Sequence, residues 1–160
     1  MTGPEQPARS PGIGRSAPIP VGAQPARQGG EAQPVANLYE VVGGQPFFDE
    51  LVERFYQGVA VDPLMRHMYP DDLTEPKRHL ALFLGQYWGG PTTYSDERGH
   101  PRLRMRHVPF VIAERERDAW FGHMAAALDS LVTERGIPPE VEARMLDYFG
   151  MAADGMINAR

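Results

Sequence analysis

Residues 86–110 read QYWGGPTTYSDERGHPRLRMRHVPF, the segment around which the rest of the chain is arranged. A Gly-Gly-Pro triplet at 89–91 ends its aromatic start, and the polar residues that follow contain too few apolar side chains to form a core. A short basic turn at 102–106 then leads to His107 and an extended Val-Pro-Phe at 108–110. The sequence therefore predicts a loop, held by other parts of the chain, that presents one histidine beside several arginines.

The residue types in this segment suit a ligand with a metal at its centre and carboxylates at its edge. A neutral imidazole nitrogen binds iron, and a guanidinium group pairs with a carboxylate through two parallel hydrogen bonds. Haem has both features. A single histidine after a basic turn is also typical of a surface histidine, or of one whose hydrogen bonds are satisfied within the protein. The residues alone leave both interpretations of His107 open.

Composition limits the class of protein. With 160 residues, 42% of them hydrophobic, the chain can bury one core, so one folded domain is expected. A net charge of −5 argues against nucleic-acid binding, which needs a basic face. The absence of cysteine excludes disulfides, thiolate catalysis and covalently attached c-type haem, so any haem must be held non-covalently. No apolar run approaches the roughly 18 residues of a membrane span and no secretory signal is evident, which predicts a cytoplasmic protein.

The first 36 residues differ from the rest. They hold seven of the sixteen prolines and six of the seventeen glycines, and they contain no aromatic residue. Such a composition cannot form a packed core. We therefore expect a disordered tail over residues 1–36 and a folded domain over residues 37–160.

Apolar residues at three- and four-residue steps predict an all-α fold, because strand-like alternation is nowhere sustained. Four long helices are expected, over residues 46–61, 74–88, about 112–136, and 138 onward. Proline opens the first and last, Thr74 caps the second, and Gly136 ends the third. The predicted apolar face of the first helix consists of Phe48, Leu51, Val52, Phe55, Tyr56 and Val59.

From about Leu38 to Phe149 the chain resembles the group II truncated haemoglobins, bacterial 2-on-2 globins of the O type. The resemblance is nearly residue for residue across YWGGPTTYSDERGHPRLRMRHVPF. It implies two antiparallel helix pairs that sandwich one non-covalent haem b per chain, with a loop and a turn in place of the helix that carries the proximal ligand. It also implies that His107 is that ligand.

The resemblance further implies residues at the edge and wall of the haem pocket. Arg106 and Tyr94 match positions near the haem carboxylates, whereas Arg102 and Arg104 are weaker candidates. Leu80 should form part of the apolar wall on the side of the bound gas, where no histidine is expected. Three more residues, either packed on the haem or part of the core, are Phe83, Phe110 and Met124.

Three short motifs imply hydrogen-bond donors around the bound ligand. RFY at 54–56, MYP at 68–70 and ERDAW at 116–120 match the positions of the tyrosines and the tryptophan in this group, which here are Tyr56, Tyr69 and Trp120. Without the resemblance they would be interpreted as core or rim aromatics. One hydrogen bond of about 1.5 to 3 kcal/mol to a partly charged oxygen slows its escape roughly ten- to a hundredfold.

The leading hypothesis is a haem protein that binds oxygen and other diatomic gases reversibly. An enzyme on the same site is the first alternative, either a nitric oxide dioxygenase or a peroxidase. A haem-free helical interaction module is the second alternative. The expected partners are dioxygen and other diatomic gases, an external reductase if the haem turns over, and further copies of the chain in a homo-oligomer.

Overall fold

The computed structural model describes residues 37–159, in which all regular structure is helical, as predicted. The helices are α1 Leu38–Val41, α2 Gln45–Ala60, α3 Pro63–Arg66, α4 Thr74–Tyr87, α5 Thr93–Arg98, α6 Leu103–His107, α7 Glu114–Arg135 and α8 Pro139–Gly155. The expected disordered tail concerns residues 1–36, which lie outside the described residues. Within residues 37–159, the helices are all too short or too polar to cross a bilayer.

The four long helices form two packed pairs. Helix α2 lies on α4, α7 lies on α8, and α2 also crosses α7, which gives the 2-on-2 sandwich. The predicted apolar face of α2 is correct, since all six of its residues are buried, together with Phe47. Burying a side chain of this size contributes about 1.5 to 3 kcal/mol, so this face is a principal source of stability.

A close approach at one end of α2 positions α3 and the turn after it. Gly58 faces the ring of His123 on α7, and a Cβ at this position would lie 2.5 Å from His123 Nδ1. The opposite ring nitrogen, His123 Nε2, lies 2.7 Å from Asp62 Oδ2. Asp62 also caps α3 by accepting from the N–H of Leu64, and its hydrogen bond with His123 lowers the pKa of its carboxyl. This junction holds the turn that carries Tyr69.

The predicted cap of α4 and the predicted start of α7 were wrong by one or two residues. Thr74 is the first residue of α4 rather than its cap, because Asp72 Oδ1 accepts the hydrogen bond from the N–H of Thr74 at 2.9 Å. Helix α7 begins at Glu114 rather than near Ile112. The predicted ends were better, since α4 stops before Gly89, whose φ is 113°, and α7 stops before Gly136, whose φ is 64°.

The prediction of an irregular loop between the second and third long helices was wrong for residues 93–98, which form α5. Contacts with α4 stabilise this short helix. Both terminal nitrogens of Arg78 donate to the carboxylate of Glu97 at 2.7 Å, and the side-chain amide of Gln86 bonds both the hydroxyl and the N–H of Ser95. The basic turn after it is likewise a short helix, α6, whose last residue is His107.

Candidate haem pocket

A cavity of about 260 Å³ lies between the two helix pairs. Its volume is roughly twenty times what a single water molecule needs, and its wall is mainly apolar. Such a cavity is typical of a site for a large, mostly apolar ligand. It brings together all nine site residues predicted from the sequence, which are Tyr56, Tyr69, Leu80, Phe83, Tyr94, Arg106, His107, Phe110 and Trp120.

Helix α6 orients the imidazole of His107. Its Nδ1 lies 2.6 Å from the backbone oxygen of Leu103, one turn earlier in the same helix. Because a carbonyl oxygen can only accept, Nδ1 carries a proton, and in the neutral imidazole this leaves the lone pair on Nε2. A hydrogen bond on one ring nitrogen commonly orients the other toward a metal. His107 therefore has the tautomer that a metal ligand requires, and its ring lies in the cavity wall.

Asn158, near the end of the chain, clamps the segment that follows His107. Its Oδ1 accepts from the N–H of Ile112 at 2.8 Å, and its Nδ2 donates to the backbone oxygens of Phe110 at 2.9 Å and His107 at 3.3 Å. Sequence reasoning missed this residue, since nothing around it forms a motif. Its contacts show that the segment after α8 helps to hold the histidine in place.

Replacing Asn158 by alanine should lower the stability of the fold by about 1 to 3 kcal/mol, because the N–H of the buried Ile112 loses its partner. It should also speed haem loss by loosening His107. Thermal melting and the rate of haem transfer to apomyoglobin measure the two effects. Asn37→Ala is the matched control, since Asn37 makes similar side-chain bonds to Glu40 and Gly89. If Asn158→Ala and Asn37→Ala are equally stable and lose haem at the same rate, Asn158 has no special role in holding His107.

Three aromatic donors reach the cavity from different elements. The rings of Tyr56 on α2 and Tyr69 in the turn after α3 meet edge to face, with centroids 5.4 Å apart. Trp120 on α7 packs edge-on against Phe55 at 5.6 Å and Phe149 at 6.0 Å. Within residues 37–159, no side chain or carbonyl accepts a hydrogen bond from the three donors. Their O–H and N–H groups are therefore available to a ligand in the cavity.

The two tyrosines keep their protons at any physiological pH. Burial raises the pKa of Tyr69 to about 12. The pKa of Tyr56 is raised further, first by burial and then by the neighbouring Tyr69. A phenol below its pKa is a hydrogen-bond donor, so both side chains can donate to a ligand that carries partial negative charge.

Cationic side chains gather at one side of the cavity. His79 on α4 lies in its wall, with Arg98 Nη1 3.1 Å from the imidazole and Glu75 Oε2 3.3 Å from Nε2. Burial and then Arg98 lower the pKa of His79, so it is neutral at pH 7 and can accept from Arg98. The sequence analysis selected neither His79 nor Arg98 for the site.

The other residues that were predicted at the edge or wall of the haem pocket lie in different places. Tyr94 is buried, with Arg98 Cζ 5.9 Å from the centre of its ring. The Nε of Arg106 donates to the backbone oxygen of Pro101 at 2.8 Å, and its guanidinium lines the cavity. Arg102 and Arg104, the weaker candidates, are exposed and do not line the cavity. Met124 is fully buried in the core away from the cavity.

These features fit a haem better than a bare metal ion. Within residues 37–159, no three His, Asp or Glu side chains are grouped so that they could hold a metal by themselves. These side chains therefore form no site for a bare ion, whereas a cofactor that brings its own metal needs only one ligand from the protein. The Nε of Arg98 is buried without a hydrogen-bond partner, beside the arginine-rich side of the cavity. A haem carboxylate is an acceptor of the kind that such a donor requires.

The 2-on-2 arrangement and the apolar cavity with one suitably oriented histidine define a globin. Comparison with known proteins agrees. Residues 37–154 match the family model described as bacterial-like globin. The group 2 truncated haemoglobin YjbI of Bacillus subtilis (strain 168) is 39% identical over 120 residues, which cover 75% of this chain and 87% of that protein.

Solved structures give the same result. The haemoglobin of the thermophilic phototroph Chloroflexus aurantiacus is 50% identical with a TM-score of 0.73, covering 78% of this chain and 99% of that one. The group II truncated haemoglobin of Bacillus anthracis is 35% identical with a TM-score of 0.74, covering 79% and 95%. The chain therefore belongs to the bacterial-like globins, as a group II truncated haemoglobin, a family that carries one non-covalent haem b per chain.

Proposed function

We propose that the protein binds dioxygen and other diatomic gases reversibly at a ferrous haem b whose iron is held by His107. Haem supplies the open coordination position at which such a gas binds. The chain supplies the imidazole, an apolar wall that includes Leu80 and Phe83, and hydrogen-bond donors for the haem carboxylates. Arg98, Arg106 and His79 are the groups proposed for that last role.

One observation carries this proposal. Tyr56, Tyr69 and Trp120 line the same cavity as His107, and their donor groups have no acceptor among residues 37–159. Bound oxygen accumulates negative charge on its outer atom, which such donors stabilise. Because each hydrogen bond slows escape roughly ten- to a hundredfold, a pocket with three donors favours slow release. We infer a protein that retains its ligand rather than one that delivers it.

An absorption spectrum and ligand kinetics test the proposal together. The purified protein should show a Soret band, and its ferrous form should bind oxygen and carbon monoxide. The oxygen off-rate should be low. A protein without a Soret band would support a haem-free interaction module instead. Rapid release of oxygen would contradict the assigned donors while leaving haem binding intact.

Oxygen release should be nearly independent of pH between about pH 6 and 9. The reason is the sign of the pKa shifts: both tyrosines donate only while protonated, and donation is lost as the pH rises through values of about 12 for Tyr69 and above for Tyr56. Stopped-flow displacement of oxygen by carbon monoxide at several pH values measures the off-rate. An inflection inside this range would mean that another titrating group controls release.

A further inference from the structure

An apolar surface surrounded by arginines lies outside the cavity wall, beside His107. Its centre is formed by Met105, Val108 and Val111, which are 49%, 69% and 72% exposed. Few large apolar side chains of residues 37–159 are so exposed, and these three occur within seven consecutive residues. We call these three residues, with exposed Pro109 between them, the 105–111 patch. Exposed apolar residues that cluster in this way are typical of an interaction surface.

The rim of the 105–111 patch is cationic although the protein is acidic. Arg102 and Arg104 are exposed outside the cavity, and no acid among residues 37–159 forms a salt bridge with either of them. Residues 99–113 contain three arginines and no Asp or Glu, whereas the whole chain carries −5. An apolar centre with an unpaired cationic rim is complementary to a protein surface with an acidic rim.

The wall between this patch and the cavity is one residue thick. His107 and Phe110 line the cavity, and Val108 and Pro109, which separate them in sequence, face solvent. Hydrogen bonds from Val108 N–H to the oxygen of Met105 and from Phe110 N–H to that of His107 keep the segment compact. A protein bound to the patch would therefore touch the backbone next to the imidazole.

We propose that the 105–111 patch docks a reduced one-electron carrier protein with an acidic face, of the ferredoxin or flavodoxin kind. This inference rests on the proposed function, because a globin binds oxygen only while its iron is ferrous. One electron leaves the carrier, which is oxidised, and ferric iron becomes ferrous. The chain has no cysteine and so cannot hold an iron–sulfur cluster or a redox thiol of its own. A separate donor protein supplies the electron.

The charge distribution favours a protein over a membrane as the occupant. A bilayer is an extended surface and would also meet other parts of this chain, whose net charge is −5, whereas a folded partner can bring its acidic face to the patch alone. A transient electron-transfer complex also needs only a small interface. The patch is limited to one short segment, which suits a small interface.

The test is the reduction of the ferric, haem-loaded full chain by a reduced acidic ferredoxin, followed at the Soret band under carbon monoxide. Arg104→Glu should slow reduction about tenfold at low ionic strength and much less at high ionic strength, because salt screens exposed charges. Val111→Ser should raise the apparent KM for ferredoxin without changing the salt dependence. Neither variant should change the Soret spectrum or the rate with reduced lumiflavin, a small donor that needs no docking site.

Arg135→Glu is the matched control, since it makes the same charge change on an exposed arginine at the end of α7, about 30 Å along that helix from its start. If Arg104→Glu is reduced at the wild-type rate, or if Arg135→Glu is slowed as much as Arg104→Glu, the proposed docking site is wrong. The proposal is also wrong if the patch binds phosphatidylserine vesicles, or if the protein forms a dimer that Val111→Ser dissociates. If the wild-type protein has a Soret band but the variants are reduced at the wild-type rate, this inference alone is refuted. If the wild-type protein has no Soret band, the proposed function is refuted and the inference with it.

Discussion

Replacing His107 by glycine should abolish the wild-type Soret spectrum and lower haem affinity by more than about a hundredfold. The loss of a group that merely orients a ligand costs roughly ten- to a hundredfold in metal affinity, so the loss of the ligand itself should exceed that. Because the wall and the cationic edge stay intact, added imidazole should enter the vacated space and restore the spectrum. Titration of the apoprotein with haem, with and without imidazole, measures both effects.

The same substitution should also lower thermal stability. An unfilled cavity of about 260 Å³ costs up to roughly 6 kcal/mol if its wall does not collapse, so the haem-free form should melt well below the loaded one. His67→Gly is a suitable control, since His67 is an exposed histidine outside the cavity. If His107→Gly keeps the wild-type spectrum and haem affinity while His67→Gly changes them, the assignment of the ligand is wrong.

Replacing Trp120 by phenylalanine should speed oxygen release by about tenfold or more, because the variant keeps an aromatic ring against Phe55 and Phe149 but loses the indole N–H. Tyr56→Phe should act in the same direction. The association rate should change little, since the apolar wall is preserved. Flash photolysis and stopped-flow displacement give the two rates separately.

Trp88→Phe is the matched control for the tryptophan. Trp88 is buried outside the cavity, and its indole N–H has no hydrogen-bond partner among residues 37–159, so its loss removes no donor from the pocket. Its oxygen off-rate should stay at the wild-type value. The double variant of Tyr56 and Trp120 then measures whether the two donors act on the same ligand atom, in which case their effects are not additive. An unchanged off-rate in Trp120→Phe would exclude its role as a donor.

The parts of the fold that were predicted correctly depend on neighbours along the chain. The apolar face of α2 from Phe48 to Val59 follows from helical periodicity, which is a local property. The stops at Gly89 and Gly136 follow from the ease with which glycine adopts a positive φ. The nine pocket residues were selected through the resemblance to a known family, which short motifs such as ERDAW at 116–120 carry.

The parts that were missed depend on contacts between distant residues. Helix α5 has little helix-forming tendency of its own, and short helices are marginal without tertiary support. Arg78 stabilises it from 19 residues away through Glu97. The start of α4 was missed for a local reason instead, because the side chain of Asp72 accepts a hydrogen bond from the N–H of Thr74, which is the first residue of the helix.

The amino-acid sequence alone was sufficient to predict an all-helical chain and its long helices, since these follow from residue types at short spacing, whereas His107 was selected through the resemblance to a known family. Only the folded arrangement shows that Asn158 clamps the segment after His107 from 46 to 51 positions away. Only the folded arrangement brings Arg98 next to His79, which is 19 positions away in the sequence. It also places the donor side chains in the same cavity as the imidazole. The physical reason is that hydrogen bonds and cavities form between surfaces brought together by packing, and no local pattern records which surfaces will meet.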